Sequence, residues 1–174
     1  MTIRVAGGQM AFERAGRDVV ETLQRESGQA IFGFCRRLGL PDDEAEEVVQ
    51  EALLRLWKVL ARGDPIETPA AWAFRTAYRL SMDRHRWRRR FDAFVHRDRS
   101  TAMTPAHTID DLLAVWTEVD RLPPRQRAVL YLRYRADMTF ETIGEVLGID
   151  AGSARSNASR AITTLRDRLV EGDR

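Results

Sequence analysis

The chain has 174 residues, of which 44% are hydrophobic and 31% charged, and its formal net charge is only +2. This balance excludes wholesale disorder, and with no apolar run of about 18 residues a membrane-spanning helix is excluded as well. The length accommodates one domain or two small ones, because pieces of about 60 residues can fold alone.

The first residues, MTIRVAGGQMAFERAGRD, lack the apolar stretch of a secretory signal, so a cytoplasmic location is expected. Residues 1–16 read as an N-terminal extension and about Arg17 to Leu40 as a helix, broken at Gly39-Leu40-Pro41. The single cysteine, Cys35, sits in the apolar run AIFGFCRRL and reads as a buried small hydrophobe rather than a reactive thiol or metal ligand.

Asp42 or Asp43 is expected to cap the next helix, with further acids in its first turn suiting the helix dipole. Its apolar positions, Ala45, Val48, Val49, Ala52, Leu53, Leu56, Trp57 and Leu60, recur with the helical period. Asp42 to Glu51 is an acidic block, whereas Arg75 to Arg99 is strongly basic. Such segregation points to two partners of opposite character.

The Gly- and Pro-containing stretch from Ala61 to Pro69 reads as a loop, and Thr68-Pro69 as the start of a long helix, AAWAFRTAYRLSMDRHRWRRR. On it Trp72, Thr76, Leu80 and Asp83 share a packing face, and Arg75, Arg79, Arg86 and Arg90 a positive one. Residues 92–108 lose the period and read as an interdomain linker. Helix resumes at Ile109 and continues to about Leu122; Pro123-Pro124 interrupts it and RQRAVLYLRYR forms another. No strand-and-turn pattern appears. The chain is therefore expected to be all-α, with two small helical domains, residues 17–91 and 109–174, joined by a flexible linker.

The end of the chain is the most informative part. Thr139 to Leu147 reads as a short helix, Gly148-Ile149-Asp150 as a turn, and Ala151 to about Leu169 as a second helix that starts with small and hydroxylated residues. This is a helix-turn-helix pattern. A helix that enters a DNA major groove has no use for large apolar groups at its start; Ser153, Ser156 and Ser159 can hydrogen-bond there, and Arg155 and Arg160 suit guanine edges or phosphates.

The segment RLPPRQRAVLYLRYRADMTFETIGEVLGIDAGSARSNASRAITTLRDRL resembles region 4 of bacterial sigma factors: a Leu-Pro-x-x-x-Arg start, a Thr-aromatic-x-x-Ile helix, a Leu-Gly-Ile turn and a Ser-Arg-Ala helix. DDEAEEVVQEALLRLWKVL followed by TPAAWAFRTAYRLSMDRHRWRRR is similar to region 2. With no recognisable region 3 between them, the pair resembles the extracytoplasmic-function (group 4) members of the sigma-70 family.

That resemblance implies an RNA polymerase sigma factor, which binds core polymerase through the β′ clamp helices and the β flap and recognises promoter DNA. It implies core binding by Glu47, Gln50, Glu51, Leu54 and Trp57, although Trp57 reads in the first place as part of the domain core. It implies handling of a melted minus-10 element, one base flipped out, by the loop from Gly63 to Thr68 and the following helix: Asp64, Arg75, Arg79, Asp83, Arg86, Trp87 and Arg90, with Arg88 and Arg89 on the same positive face and His85 a further stacking candidate. For the minus-35 duplex it implies Arg155, Ser156, Ser159 and Arg160 nearest the bases, Arg125, Arg127 or Thr139 nearer the backbone, and Ser153 as a further contact. Arg79 stands where members often carry Asn, and Ala154-Arg155-Ser156-Asn157 replaces a Val-Lys-Ser-Arg-like start. The resemblance also allows for an anti-sigma partner, which no residue identifies.

Two other readings fit less of the chain. The three histidines, His85, His96 and His107, form no metal-binding spacing and there is no Gly-rich phosphate loop, so no enzyme activity, metal or cofactor is expected. A dimeric repressor would account for the helix-turn-helix but leave the acidic block and the Arg-rich helix without a purpose.

Overall fold

A computed structural model describes the backbone of residues 4–95 and 110–172, and side chains within 10–88 and 115–169. All regular structure among these residues is helical: α1 (Arg4–Arg37), α2 (Asp42–Leu60), α3 (Pro69–Val95), α4 (Asp110–Asp120), α5 (Pro124–Tyr134), α6 (Phe140–Leu147) and α7 (Ala151–Gly172). Helices α1–α3 pack as one domain and α4–α7 as a second. Most of the expected linker, and with it His96 and His107, lies outside the described residues, while α3 itself continues to Val95.

The first helix begins at Arg4, well before the expected Arg17. Glycines in this stretch lower its intrinsic helix propensity, but tertiary contacts compensate: Gly16 is buried against Leu60 and Ala61 at the end of α2, and Phe12 lies beside Gly63. At the start of α2 the capping position is Pro41, without a side-chain cap, rather than Asp42 or Asp43. The three acids of the first turn still favour the dipole, and Asp42 pairs with Arg36 at 2.5 Å.

The α2 stripe is buried through Ala45, Val48, Ala52, Leu53 and Leu56. On α3 the buried stripe is Ala73, Phe74, Ala77 and Ser81, not the expected Trp72, Thr76, Leu80 and Asp83. Small residues at this spacing allow close helix approach, and the Ser81 hydroxyl is satisfied by donating to the Ala77 carbonyl at 2.8 Å. Trp72 and Leu80 are left half-buried and Asp83 exposed. Cys35 is fully buried beneath this helix, and desolvation pushes its thiol up to about 12.

The two domains pack on each other. Tyr131 of α5 is 4% exposed and its hydroxyl donates to the Ala30 carbonyl of α1 at 2.9 Å. Its ring sits 5.8 Å from Phe34 on one domain and 5.8 Å from Trp116 on its own. The Arg37 guanidinium lies over Trp116 at 4.7 Å and over Tyr131 at 5.5 Å, and faces Asp120 at 3.6 Å. The approach is possible because Gly33 presents no side chain to the Tyr131 hydroxyl.

Candidate nucleic-acid interface

The short helix α6 is capped by Thr139, whose hydroxyl accepts from the Thr142 N–H at 3.2 Å. It ends at Gly148, left-handed at φ 67°, a conformation glycine adopts without steric cost. The Ile149 N–H closes the turn onto the Gly144 carbonyl at 2.9 Å. Asp150 then caps α7, accepting from the Ser153 N–H at 2.7 Å and from the Ser153 hydroxyl at 2.6 Å. These hydrogen bonds hold the Asp150 carboxyl below its ordinary value, that from the Ser153 side chain most strongly.

Ala154, Ala158 and Ala161, all nearly or fully buried, form the inner face of α7, and Leu165 extends it. The start of α7 is small because this face lies against α6 and α5 as well as because its outer face is polar. Arg155, Ser156, Ser159 and Arg160 are exposed together on the opposite face. Ser153 is half-buried in its cap, and the Asn157 amide donates back to the Ser153 carbonyl at 2.8 Å. Arg125 is exposed, whereas Arg127 is half-buried and donates to the Asp120 carbonyl at 2.9 Å. Burial lowers the Arg127 guanidinium from its ordinary value. Arg127 is thus part of the fold rather than of an outer cationic surface.

On α3, Arg75, Arg79 and Arg86 follow one another at helical spacing. Arg75 is half-buried in a cleft of about 340 Å³ formed by Pro65, Ile66 and Thr68 on one side and by Glu145 and Val146 of α6 on the other. Arg79 and Arg86 line a second cleft of about 530 Å³, whose apolar walls include Tyr78, Met82 and Pro124. Arg86 pairs with Asp83. Asp64 is exposed in the loop, and Trp87 is 65% exposed. His85 bonds the Leu38 carbonyl at 2.8 Å, a structural contact. Arg88 is turned towards Glu44 of α2 rather than outward; the Arg89 and Arg90 side chains lie outside the described residues.

On α2, Glu47, Gln50 and Leu54 are exposed and Glu51 and Trp57 half-exposed along one stripe. Glu47 pairs with Arg84 of α3 at 2.9 Å and Glu51 with Arg55 at 2.6 Å. Leu54 is thus an apolar side chain exposed among acids, a combination suited to an anchored, charge-guided contact.

Residues 23–91 match the family profile described as Sigma-70 region 2, and residues 119–167 that described as Sigma-70, region 4. The chain belongs to the extracytoplasmic-function sigma factors of the sigma-70 family. It is an RNA polymerase sigma factor, a non-enzymatic initiator of transcription. The RNA polymerase sigma-E factor of Streptomyces coelicolor is 30% identical over 164 residues, covering 88% of this chain and 87% of that one. The extracytoplasmic-function sigma factor SigW of Bacillus subtilis is 26% identical over 154 residues, covering 80% and 82%. Two solved structures share the fold with a TM-score of 0.65. The sigma factor RpoE of Bartonella quintana, in complex with the anti-sigma factor NepR, is 24% identical and covers 88% of this chain and 99% of that one. CnrH in complex with the cytosolic domain of CnrY is 21% identical and covers 95% and 96%.

For a sigma factor, the sequence reading missed how far the basic helix of region 2 is engaged with its own acidic helix. Arg84 donates to the Glu44 carbonyl at 2.9 Å, pairs with Glu47, and lies 3.9 Å from the Glu44 carboxylate that Arg88 also meets. Opposite charge in consecutive helices was the available signal. Among the described residues no helix is long and apolar enough to cross a membrane, and no group of side chains is arranged to hold a metal.

Proposed function

We propose that this sigma factor acts in the cytoplasm, binding core polymerase through Glu47, Gln50, Glu51, Leu54 and Trp57 of α2. Region 2 then holds the melted minus-10 strand with Asp64, Arg75, Arg79, Asp83, Arg86, Trp87 and Arg90, and region 4 reads the minus-35 duplex with Arg155, Ser156, Ser159 and Arg160. Arg125 and Thr139, with Ser153 held by the capping Asp150, lie towards the phosphates. The observation that carries the reading is the two-faced α7: an alanine face buried behind, and two arginines and two serines exposed in front. One solved relative is a complex with the anti-sigma factor NepR and the other a complex with the cytosolic domain of CnrY, and a comparable protein partner is proposed for this chain.

Run-off transcription with purified core polymerase on genomic fragments tests this. The wild type is expected to start transcripts at defined sites. An Arg155→Ala/Arg160→Ala variant should bind core but lose those sites, and a Glu47→Ala/Glu51→Ala variant should bind core poorly. A chain that adds no initiation and binds duplex alone as a dimer would overturn the proposal.

A further inference from the structure

An arginine that reads a base edge must present its guanidinium in one plane, yet the exposed Arg155 side chain, 62% accessible, has many rotamers. The structure supplies a platform for it. The Arg155 guanidinium carbon lies 5.3 Å from the centre of the Phe140 ring, at the first position of α6. Arg133 lies 5.5 Å from the same ring and is itself fixed, donating to the Met138 carbonyl at 2.9 Å. Glu141 then stands beside Arg155, its carboxylate 3.7 Å from Nη2.

We propose that Phe140 is the positioning residue for Arg155, an inference that rests on α7 being the duplex-reading helix. Stacking occupies the face of a guanidinium and leaves its N–H edge free to donate in the plane, which is the geometry a guanine edge requires. The half-buried ring is set by Thr139, which caps the helix that Phe140 begins. Glu141 restrains the guanidinium from one side at a distance too long for a full hydrogen bond, so DNA can take over those donors. Phe140 thus contributes to base discrimination without itself touching a base.

The test uses holoenzyme reconstituted from core polymerase and the full chain, on promoters mapped by run-off transcription whose upstream element has been randomised, with transcripts sequenced. Phe140→Leu preserves apolar packing but removes the π face. It is expected to stay folded, with a melting temperature lowered by about a few degrees, while base preference falls about two- to fivefold at those positions where Arg155→Ala abolishes it; Phe140→Tyr should restore it. Glu141→Gln, at an exposed site where unfolding is no concern, should alter preference at the same positions. Wild-type preference in Phe140→Leu or in Glu141→Gln overturns the proposal while leaving the reading of α7 intact. Wild-type preference in Arg155→Ala overturns both.

Discussion

Gly33→Ala places a methyl group where the two domains meet. Its Cβ would stand 2.5 Å from the Tyr131 hydroxyl oxygen, so the phenol must retreat by about 0.9 Å to reach ordinary contact at 3.4 Å. Tyr131 is held between Phe34 and Trp116, and that retreat breaks its 2.9 Å bond to the Ala30 carbonyl. A buried hydroxyl left without its partner costs about 1–3 kcal/mol, roughly a five- to 150-fold fall in the ratio of packed to separated domains. The same substitution favours α1 itself by about 1 kcal/mol, because alanine replaces glycine inside a helix. The two effects act on different equilibria, so region 2 should hold its helix while region 4 comes away. Small-angle scattering should show a larger radius of gyration, and energy transfer between dyes on cysteines introduced at the exposed Lys58 and Arg166 should fall. Removing the hydroxyl as well, in Gly33→Ala/Tyr131→Phe, leaves the nearest ring carbon at 3.4 Å and should restore packing. Wild-type scattering from Gly33→Ala, or a double variant that stays open, would refute the steric argument.

Cys35, buried and with its thiol pushed up to about 12, should resist a thiol reagent at pH 8 in the native protein and react at once in denaturant; native labelling would contradict the packing. Burial raises the Asp120 carboxyl above its ordinary value, with Arg37 and Arg127 opposing. The folded chain therefore keeps this proton to higher pH than the unfolded chain, so the cost of the charged form is borne at neutral pH and relieved as pH falls through the folded-state value. Asp120→Asn should lose that relief, and identical melting-temperature profiles from neutral pH to pH 4 for variant and wild type would rule the effect out. Gly148→Val puts a β-branched residue at φ 67°, costing about 1–2 kcal/mol, whereas Gly148→Asn should melt nearly as the wild type because the site is open; equal losses would exclude backbone conformation as the cause. Glu44→Gln, which removes the charge shared by Arg84 and Arg88, should lower the melting temperature more than Glu47→Gln, whose pair is more exposed; the reverse order would contradict the assignment of Glu44 to the fold.

The elements with large apolar residues at a regular period were legible: the α2 stripe, the Pro-marked starts of α3 and α5, and the helix-turn-helix announced by Thr139 and Gly148. What hid from the sequence was packing by small side chains. Ala73, Ala77 and Ser81 flank Phe74 in the α3 interface, and Ala154, Ala158 and Ala161 line that of α7, because closeness of backbones substitutes there for side-chain volume. The docking of the domains was equally hidden. It depends on a tyrosine reaching a carbonyl 101 residues away and on a glycine leaving room, neither of which has a local pattern. In the candidate sites, outward arginines were indistinguishable by type from Arg88 and Arg127, which are turned inward by partners distant in sequence or folded back locally.

The small net charge conceals an internal cancellation that decides which charges remain for partners. Arg84 and Arg88 are engaged with Glu44 and Glu47, so among the described side chains of the basic helix the proposed contact with DNA falls to Arg75, Arg79 and Arg86, with the exposed Trp87 beside them. Yet the pair with Glu47 is not equivalent to that with Glu44. The Glu47 carboxylate is 67% exposed against 27% for Glu44, and exposed pairs contribute at most about 1 kcal/mol. A cationic partner surface can therefore displace Arg84 from Glu47 at little cost, and the released guanidinium still has the Glu44 carbonyl and carboxylate to fall back on. The acidic helix is in this way prepaired but not blocked: Glu44 ties α2 to α3, and Glu47, Glu51 and Leu54 remain the face proposed for a polymerase subunit.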